Sequence, residues 1–299
     1  MDSFPDCPVC QTPMQFLYRI ERFVPALEIL VCPACGLQRQ ARYPVELAGL
    51  YTADYYTGKA EYSYRDERSQ LAYDRYVWRA RLKQIARFQK PPSAFLDVGC
   101  SFGGFVASAR EWGYQSAGLD ISPYAVQYAR SQGLDVRQGE VTAGIWPDSQ
   151  FDIITLIEVI EHLPDPRAAL SALARIAKPG ALLVLQTANF NGRQARRAGS
   201  SYHYYLPGHF VYYSSSNLRR LLEQFDFQVI KIFYPVDFGL GAKLLKSRSR
   251  FKSWSDYLQW LRIAWYHLSG KIHWRDRAWQ SSMVLYARYQ PRTTSANGQ

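Results

Sequence analysis

Short apolar segments alternate with helical segments through the middle of this chain, and this alternation restricts its fold more than any other feature. Strands that alternate with helices at this spacing form a parallel sheet with helices on both faces. We therefore predict an α/β fold with a doubly wound sheet, in which ligands bind at the carboxyl ends of the strands. Five segments are the predicted strands: AFLDVGC (94–100), SAGLDIS (116–122), DVRQGE (135–140), FDIITLIEV (151–159) and ALLVLQTA (181–188).

Residues that begin and end helices lie between these segments. Ser122 and Asp165 each stand before a proline, which predicts an N-cap followed by the first helical residue. Gly113 and Gly133 are placed to end the helices before and after the second strand. The caps therefore support the helices that the apolar pattern predicts.

A glycine-rich turn follows the first strand and contains Asp97, Gly99, Ser101 and Gly103. The glycines let the backbone approach a ligand and turn into the helix. Asp120 ends the second strand, where a carboxylate can accept hydrogen bonds from a ribose diol. This spacing also fits a dinucleotide. However, Ser101 replaces a glycine, and Asp97 would repel a pyrophosphate, so the turn favours a ligand with a cationic ammonium and sulfonium.

Two CxxC pairs stand near the start of the sequence, Cys7 with Cys10 and Cys32 with Cys35, with 21 residues between the pairs. Two thiolates from one tight turn can bind one ion, and four complete a tetrahedral site. Alternating apolar residues between the pairs predict strands. We therefore predict a zinc ribbon, against the alternative of unligated or redox-active thiols. With four protein ligands, the Zn²⁺ would be structural.

Several motifs together resemble one known family. DVGCSFGGF (97–105) is similar to the first motif of class I S-adenosylmethionine-dependent methyltransferases. Two further segments resemble the small-molecule branch that includes the ubiquinone-type O-methyltransferases: FDIITLIEVIEHLPDP (151–166) and HFVYYSSSNLRRLLEQFDFQVIKI (209–232). The likeness spans about residues 90–235 and a last strand at 282–289. A zinc-knuckle N-terminus before a Tyr-rich connector also resembles bacterial sugar-modifying methyltransferases. The family more often has glycine at the position of Ser101.

The resemblance implies a seven-stranded, Rossmann-like methyltransferase sheet that binds S-adenosyl-L-methionine. It also implies the residues that contact each part of this cofactor. The methionine part would lie against Asp97, Gly99, Ser101 and Gly103, the ribose against Asp120, the adenine against Ile121, Glu140 and Val141, and the methyl donor beside Glu158.

Methyl transfer is an in-line displacement that mainly requires alignment of the nucleophile, and a hydroxyl or carbon nucleophile must also lose a proton. Candidate bases are Glu158, Glu161 and His162, just past the fourth strand, and His203 and His209 in the following loop. His162 is the first choice because its segment opens onto the carboxyl end of the sheet. The alternative for His162 is a hydrogen bond to the turn before Asp165. We expect Glu161 to be a solvated or turn residue.

The segment from Asn189 to Tyr213 is longer than an ordinary connection and is rich in arginine, tyrosine and histidine. Its position beside the predicted donor site suggests a lid over the acceptor, and its charge suggests an anionic acceptor. The alternative is a solvated surface loop.

An insertion of about 45 residues separates Pro235 from the last strand. Nine Lys or Arg and two acids occupy 243–277, and apolar residues recur at helical spacing between Trp254 and Leu268. We favour a helix packed on the domain as a cover for the site. The alternative is peripheral membrane contact through residues 254–268.

The formal net charge of +11 attracts anions such as nucleic acid, acidic membranes or phosphorylated substrates. We predict O- or C-methylation of a small molecule: a sugar, a nucleotide-linked sugar or a quinone-like metabolite. One alternative is an rRNA methyltransferase that uses the ribbon and the basic surface, although the segment Glu158–His162 lacks the Asn/Asp-Pro-Pro-aromatic motif used on exocyclic base nitrogens. Another is a non-catalytic S-adenosylmethionine-binding protein.

The sequence divides into a zinc ribbon (1–40), a Tyr-rich helical connector (41–92), a methyltransferase domain (93–290) with its insertion at about 240–280, and a disordered tail (291–299). The connector contains a predicted helix from about Asp66 to Phe88. We find no apolar run long enough to span a bilayer and none of the features of a signal peptide. We therefore expect a cytoplasmic protein, with attachment to the inner face of the membrane as the alternative.

Overall fold

The computed structural model describes residues 4–43, 48–59, 66–274 and 277–292 of the 299-residue chain. Two tyrosines of the Tyr-rich connector, Tyr62 and Tyr64, lie outside the described residues. The last seven residues of the predicted tail, 293–299, also lie outside them.

The N-terminal segment forms an antiparallel sheet of three strands: β1 (Gln15–Ile20), β2 (Leu27–Val31) and β3 (Gln38–Gln40). One cysteine pair precedes β1, and the other lies in the turn between β2 and β3. Gly36 closes that turn at φ +71°, and its N–H donates to the carbonyl of Cys32 at 2.9 Å. Glycine favours this left-handed backbone, so the sequence determines the turn locally. The strands and turns of the predicted ribbon are confirmed, and its Zn²⁺ stays a prediction.

The connector contains a short helix, α1 (Ala53–Thr57), and a longer one, α2 (Leu71–Ile85). Asp66 accepts a hydrogen bond from the backbone N–H of Arg68, so a 3₁₀ turn precedes α2. The predicted helix therefore exists, but it ends at Ile85 rather than at Phe88. Leu82 and Ile85 pack against Phe95 of the central sheet, which ties the connector to the larger domain.

The described residues after the ribbon contain ten further strands: β4 (Ala94–Val98), β5 (Gln115–Asp120), β6 (Val136–Gln138), β7 (Phe151–Ile157), β8 (Ala177–Ala188), β9 (Val211–Tyr212), β10 (Phe227–Phe233), β11 (His273–Trp274), β12 (Arg277–Ala278) and β13 (Ser282–Tyr289). Seven of them form the sheet of the larger domain, in the order β10–β13–β8–β7–β4–β5–β6. Strand β13 is antiparallel to β8 and β10, and the other pairs are parallel. This is the predicted doubly wound architecture.

Helices flank this sheet: α3 (Gly104–Glu111), α4 (Pro123–Ser131), α5 (Pro166–Ile176), α6 (Arg193–Ala198), α7 (Ser215–Glu223), α8 (Leu240–Ser247) and α9 (Gln259–Ser269). The Ser122 side chain accepts a hydrogen bond from Ala125 N–H, and Asp165 accepts from Arg167 and Ala168 N–H, so both predicted N-caps are confirmed. Among the described residues, no helix is both long and apolar enough to cross a membrane.

The ribbon sheet gains its fourth strand from the larger domain. β9 pairs antiparallel with β3, with Gln38 opposite Tyr212. The side-chain amide of Gln40 donates to the carbonyls of Leu206 at 2.8 Å and His209 at 2.7 Å. The ribbon therefore holds the segment before β9 in place, whereas the sequence predicted a lid or a solvated loop there.

The insertion forms α8, α9 and the short hairpin of β11 and β12. The favoured prediction, that the apolar face of this insertion packs on the domain, is wrong for its largest residues. Trp254, Leu261 and Trp265 are 89%, 72% and 66% exposed. The inner side of α9 instead carries His267 and Ser269, which are buried.

Candidate active site

The glycine-rich turn between β4 and α3 forms one wall of the site. Gly99 has φ +73°, and a Cβ at this position would stand 2.4 Å from Cγ2 of Val159. Any side chain here would therefore displace the segment that follows β7. Ser101 has φ +50°, a conformation that glycine adopts without strain. Glycine would therefore fit this backbone with less strain than Ser101 does.

Asp120, at the carboxyl end of β5, is almost fully buried. Its carboxylate accepts hydrogen bonds from the backbone N–H of Ser101 at 2.8 Å and of Ser122 at 2.9 Å. The hydroxyl of Tyr56 donates to the same carboxylate at 3.4 Å. Because a carboxylate has about four lone-pair sites, these contacts leave acceptor capacity for a ribose diol. The structure thus fixes this predicted ribose acceptor between two loops.

Asp97, the last residue but one of β4, is buried and pairs with Gly118 of the neighbouring strand β5. Thr155 Oγ1 donates to Asp97 Oδ1 at 2.5 Å. Burial raises the pKa of Asp97 to about 7, and the hydrogen bond from Thr155 opposes this rise. A bound cation beside this carboxyl would favour its ionised form, which suits the ammonium group of an amino-acid ligand.

The predicted adenine contacts lie in the loops that follow strands β5 and β6. Gly139 N–H donates to the carbonyl of Asp120 at 2.9 Å, so the loop after β6 lies against the end of β5. In that loop, Val141 is buried and Glu140 is exposed, while Ile121 is half-buried. An apolar surface beside an accessible carboxylate matches an adenine ring with its exocyclic amine.

Tyrosines of the connector, which the sequence did not assign to the site, cover this donor region. Tyr56 packs edge-on against Phe102, the ring centroids being 5.3 Å apart, and Tyr55 contacts Tyr56. The Tyr51 carbonyl accepts a hydrogen bond from the hydroxyl of Ser122 at 2.8 Å. The density of tyrosines was visible in the sequence, but not the element on which they would pack.

Glu158 follows β7 with φ +57°, which is uncommon for a residue other than glycine. The side-chain amide of Gln186 donates to Glu158, and Arg81 donates to the oxygen of the same amide. Arg81 also forms a buried ion pair with Asp237, with Nη2 3.0 Å from Oδ1. This chain of contacts orients Glu158 at the carboxyl end of the sheet. A backbone outlier held in this way often marks a functional site.

Glu161, which the sequence predicts to be a solvated or turn residue, lies in a 3₁₀ turn (Ile160–His162) but is only 3% exposed. Among the described residues, neither of its carboxylate oxygens has a hydrogen-bond partner of standard geometry, although Glu158 and Thr187 lie near enough to affect it. Burial, and then the neighbouring Glu158, raise its pKa well above the usual value. A buried carboxyl without partners is costly, and a bound cation would remove that cost.

His162 and His209 lie beside Glu161, and both have one ring nitrogen bound to the backbone. Nδ1 of His162 is 2.7 Å from the Gly208 carbonyl, and Nδ1 of His209 is 3.0 Å from the Tyr204 carbonyl. Because a carbonyl can only accept, each Nδ1 carries the proton and each Nε2 has a free lone pair. Histidines that bind metals are commonly held in this way.

The electrostatics of both histidines favour the neutral ring. Burial lowers the pKa of His162 to about 4, and burial together with His162 lowers the pKa of His209 to about 3. A base with such a low pKa has little capacity to remove a proton at neutral pH, whereas a neutral imidazole is a good metal ligand. One potential ligand atom from each of Glu161, His162 and His209 lies within 4.8 Å of the others.

Two other polar residues near this cluster, His203 and Tyr51, differ in whether they reach it. His203 is exposed and is separated from the cluster by Tyr204, whose ring stacks on His209 at 6.2 Å. Tyr51 reaches the cluster from the connector, its hydroxyl lying 3.1 Å from Nδ1 of His162. The structure therefore joins His209, but not His203, to His162.

The four cysteines of the ribbon also converge. The Sγ atoms of Cys7 and Cys35 are 3.6 Å apart, those of Cys10 and Cys32 are 3.2 Å apart, and all four lie within 4.8 Å of one another. Each close pair joins one turn to the other. This is the donor arrangement of a tetrahedral thiolate site.

Known proteins resemble both the sequence and the fold. A family model described as a methyltransferase domain matches residues 70–232, which is more than half of the chain. A ubiquinone biosynthesis O-methyltransferase of Xanthomonas oryzae pv. oryzae is 38% identical over 112 residues, which cover 35% of this chain and 46% of that protein. The corresponding enzyme of Methylococcus capsulatus is 35% identical over 101 residues, covering 31% of this chain and 43% of that protein. The chain thus matches less than half the length of these two relatives.

Among solved structures, a chain in the complex between the Haloferax volcanii Trm112 methyltransferase activator and a methyltransferase has a TM-score of 0.53 at 18% identity, over 76% of this chain and 95% of that chain. A SAM-dependent methyltransferase from Archaeoglobus fulgidus has a TM-score of 0.50 at 19% identity, over 72% and 94%. These likenesses concern the fold alone.

A doubly wound sheet with a glycine-rich turn and an acid at the end of the second parallel strand defines a nucleoside-binding α/β protein of the methyltransferase type. The family match makes this specific. The chain belongs to the methyltransferase domain family. The comparisons give no support to the RNA-methyltransferase and non-catalytic alternatives over methylation of a small molecule.

Proposed function

We propose that this protein is an S-adenosylmethionine-dependent O-methyltransferase that acts on a small molecule. The observation that carries the proposal is the cluster of Glu158, Glu161, His162 and His209 at the carboxyl end of β7, beside the donor residues Asp97 and Asp120. The names of the two O-methyltransferase relatives support a hydroxyl acceptor. When bound, S-adenosylmethionine would supply an electrophilic methyl group.

The donor would lie along the edge formed by the ends of β4, β5 and β6. Asp120 would bind the ribose, Asp97 would face the ammonium group, and Gly99 would allow the close approach of the backbone. Tyr56, which donates to Asp120, would have to share or yield that carboxylate. The connector therefore covers the donor site and would move when the donor enters.

The acceptor would be activated at the histidine cluster. We propose that Glu161, His162 and His209 bind one divalent cation, with Glu158 close by. A cation at this position would lower the pKa of a bound hydroxyl and hold its oxygen in place. This accounts for the unpartnered carboxyl of Glu161 and for the two free Nε2 atoms. It also removes the need for a histidine base.

The acceptor itself we propose to be anionic or polar. An open depression beside α6 is lined by Gln194, Arg197, Tyr202 and His203. Arg193, Arg196 and Arg197 are exposed on the same helix. Carboxylate or phosphate groups would complement this surface. A sugar, a nucleotide-linked sugar or a phenolic metabolite would fit the proposal.

We further propose that Cys7, Cys10, Cys32 and Cys35 bind a structural Zn²⁺. The convergence of their sulfur atoms from two turns supports this role, and four thiolates would leave no open coordination position. Cys10→Ser should release the zinc, which metal analysis of the purified protein would detect. Cys100→Ser is the matched control, because Cys100 is buried but lies outside the cluster.

The decisive experiment incubates the protein with S-adenosylmethionine labelled on its methyl group, Mn²⁺ and a cell extract that contains both metabolites and RNA. We expect label in a small molecule, and the same extract with Glu161→Gln should yield none. Label only in RNA would contradict the proposal in favour of the rRNA alternative. Donor binding by calorimetry without any labelled product in the presence of Mn²⁺ would contradict it in favour of a non-catalytic binder.

A further inference from the structure

The turn before α9, the helix itself and the residue after its last turn expose a continuous row of large apolar side chains. We call this row the outer face: Trp254, Leu258, Leu261, Trp265, Leu268 and Ile272. Their exposed fractions run from 53% for Leu268 to 89% for Trp254. Because consecutive members are three or four residues apart, they lie on one side of a helix. A contiguous apolar surface of this kind marks an interaction site.

The opposite side of α9 is anchored to the protein by polar contacts. The indole N–H of Trp260 donates to Ser247 Oγ at 3.0 Å, and Gln280 donates to Ser269 Oγ at 2.9 Å. His267 and Ser269 are each 3% exposed. A helix on a water-soluble surface normally buries its apolar side. This helix also exposes large apolar side chains, so the outer face suits an apolar environment outside the protein.

Positive charge surrounds the outer face. Exposed cations flank it along the chain: Arg248, Lys252, Arg262, Lys271 and Arg277. Asp256 is the single acid among the described residues of 240–274 and 277–280. Its carboxylate accepts hydrogen bonds from the backbone N–H of Lys252 and Ser253 at 2.7 and 2.9 Å. A second copy of the chain would bring the same cations together, whereas an anionic surface would complement them.

We propose that the outer face lies in the surface of an anionic phospholipid bilayer, with α9 parallel to the membrane plane. Tryptophan and leucine on one side of a helix, with lysine and arginine beside them, are the residues that partition into this interface. The helix is too short to cross a bilayer, which leaves the parallel orientation.

Docking would also place the methyltransferase site close to the lipid. Tyr266 lies on the inner side of α9, close enough to Glu158 to be affected by its charge. Burial, and to a smaller extent the charge of Glu158, raise the pKa of Tyr266 to about 12. Glu158 would then lie behind α9, on the side of the helix that faces away from the bilayer. This consequence, unlike the docking itself, rests on the proposed function, and it suits an acceptor that resides at the membrane.

The test is flotation of the full chain with vesicles of phosphatidylcholine alone and of phosphatidylcholine with phosphatidylglycerol. We expect binding to the anionic vesicles that weakens with salt. Leu261→Gln combined with Trp265→Gln should reduce binding at least tenfold, and Arg262→Glu combined with Lys271→Glu should reduce it on the anionic vesicles by a similar factor. Tyr76→Gln combined with Ile230→Gln is the control, because both residues are 43% exposed but lie elsewhere.

Two results would overturn the proposal. The first is equal binding by the wild type and the Leu261/Trp265 variant. The second is a wild type that does not float with either kind of vesicle, whatever its oligomeric state. If that wild type forms a dimer and the Leu261/Trp265 variant is monomeric, the outer face is a contact between copies of the chain. Circular dichroism and calorimetry with S-adenosylmethionine show whether each variant is folded. Because flotation requires no methyl transfer, failure here is distinguishable from failure of the proposed activity.

Discussion

The imidazole rings of His162 and His209 lie edge to face with their centroids 4.7 Å apart, although they come from different loops. His162 follows β7, and His209 precedes β9 in the segment that joins the ribbon sheet. Each Nδ1 lies within hydrogen-bond distance of a backbone carbonyl, so Nε2 is the nitrogen of each ring that would be available to a cation. Glu161 lies beside this pair, and among the described residues its buried carboxylate oxygens have no hydrogen-bond partner of standard geometry. The two histidines and Glu161 therefore form the centre of the proposed cation site.

The first prediction concerns binding of Mn²⁺, a cation that prefers nitrogen and oxygen ligands over the thiolates of the ribbon. Calorimetric titration of the wild type should show one site per chain. Glu161→Gln and His209→Ala should each weaken it by about 100-fold or more, since each removes a direct ligand. His203→Ala is the control and should leave the affinity unchanged. Unchanged affinity in the Glu161 and His209 variants would exclude this site.

The second prediction concerns Gln40, whose amide binds the carbonyl of His209 from the ribbon side. Gln40→Ala should lower the Mn²⁺ affinity by about 10-fold to 100-fold, as expected when a residue that orients a ligand is removed. The zinc content should stay unchanged. Gln224→Ala is the matched control, because its side-chain amide also binds a backbone carbonyl of the ribbon segment, that of Val9 at 2.6 Å, and not the carbonyl of His209. Equal effects of the two variants would indicate general loosening instead.

The third prediction concerns the donor. Asp120→Asn should weaken binding of S-adenosylmethionine by about 10-fold to 100-fold, because a charged acceptor contributes about 1.5–3 kcal/mol per hydrogen bond. Isothermal calorimetry provides the measurement. Asp135→Asn, at an exposed position just before β6, is the control. If both variants bind the donor as the wild type does, the ribose lies elsewhere.

The fourth prediction concerns pH in the protein freed of divalent cations. The folded pKa of His209, about 3, is depressed below the ordinary 6.5. The unfolded chain therefore binds more protons between these values, and stability that is present above pH 6.5 is lost as the pH falls. From pH 6.5 to pH 4, this loss should be on the order of 3 kcal/mol.

Denaturant unfolding at each pH measures the effect, with His209→Gln as the comparison. The variant should lose less stability than the wild type over the same interval. Taking the difference between the two proteins cancels the opposite contributions of Asp97 and Glu161, whose folded pKa values are raised. Parallel curves for the two proteins would show that His209 is not buried as a neutral ring.

Much of the fold follows from local sequence. The apolar strands, the caps at Ser122 and Asp165, and the turn at Gly99 all obey preferences that act over a few residues. The two CxxC turns are local in the same sense. Predictions built on these patterns agree with the strands, helices and ribbon of the structure, with differences of a few residues at element ends.

The candidate site was predictable only in part. The donor residues share one motif and one sheet edge, so family resemblance could assign them, and their roles stay predictions. Glu161 was predicted to be a solvated or turn residue, and it does lie in a turn. It is not solvated, because the segment before β9 covers it. Arg81 and Gln186 gave no signal of their own, since an orienting contact between distant elements leaves no local pattern.

The sequence by itself determined the strand order along the chain, the glycine-rich turn and the cysteine pairs, because each depends on backbone preferences of neighbouring residues. Only the tertiary structure decided that the ribbon extends its sheet with β9, that His209 meets His162, and that α9 turns Trp265 toward solvent. These three features are contacts between segments far apart in the chain. An amphipathic pattern specifies that a helix has two faces, but only its packing partners decide which face meets the protein.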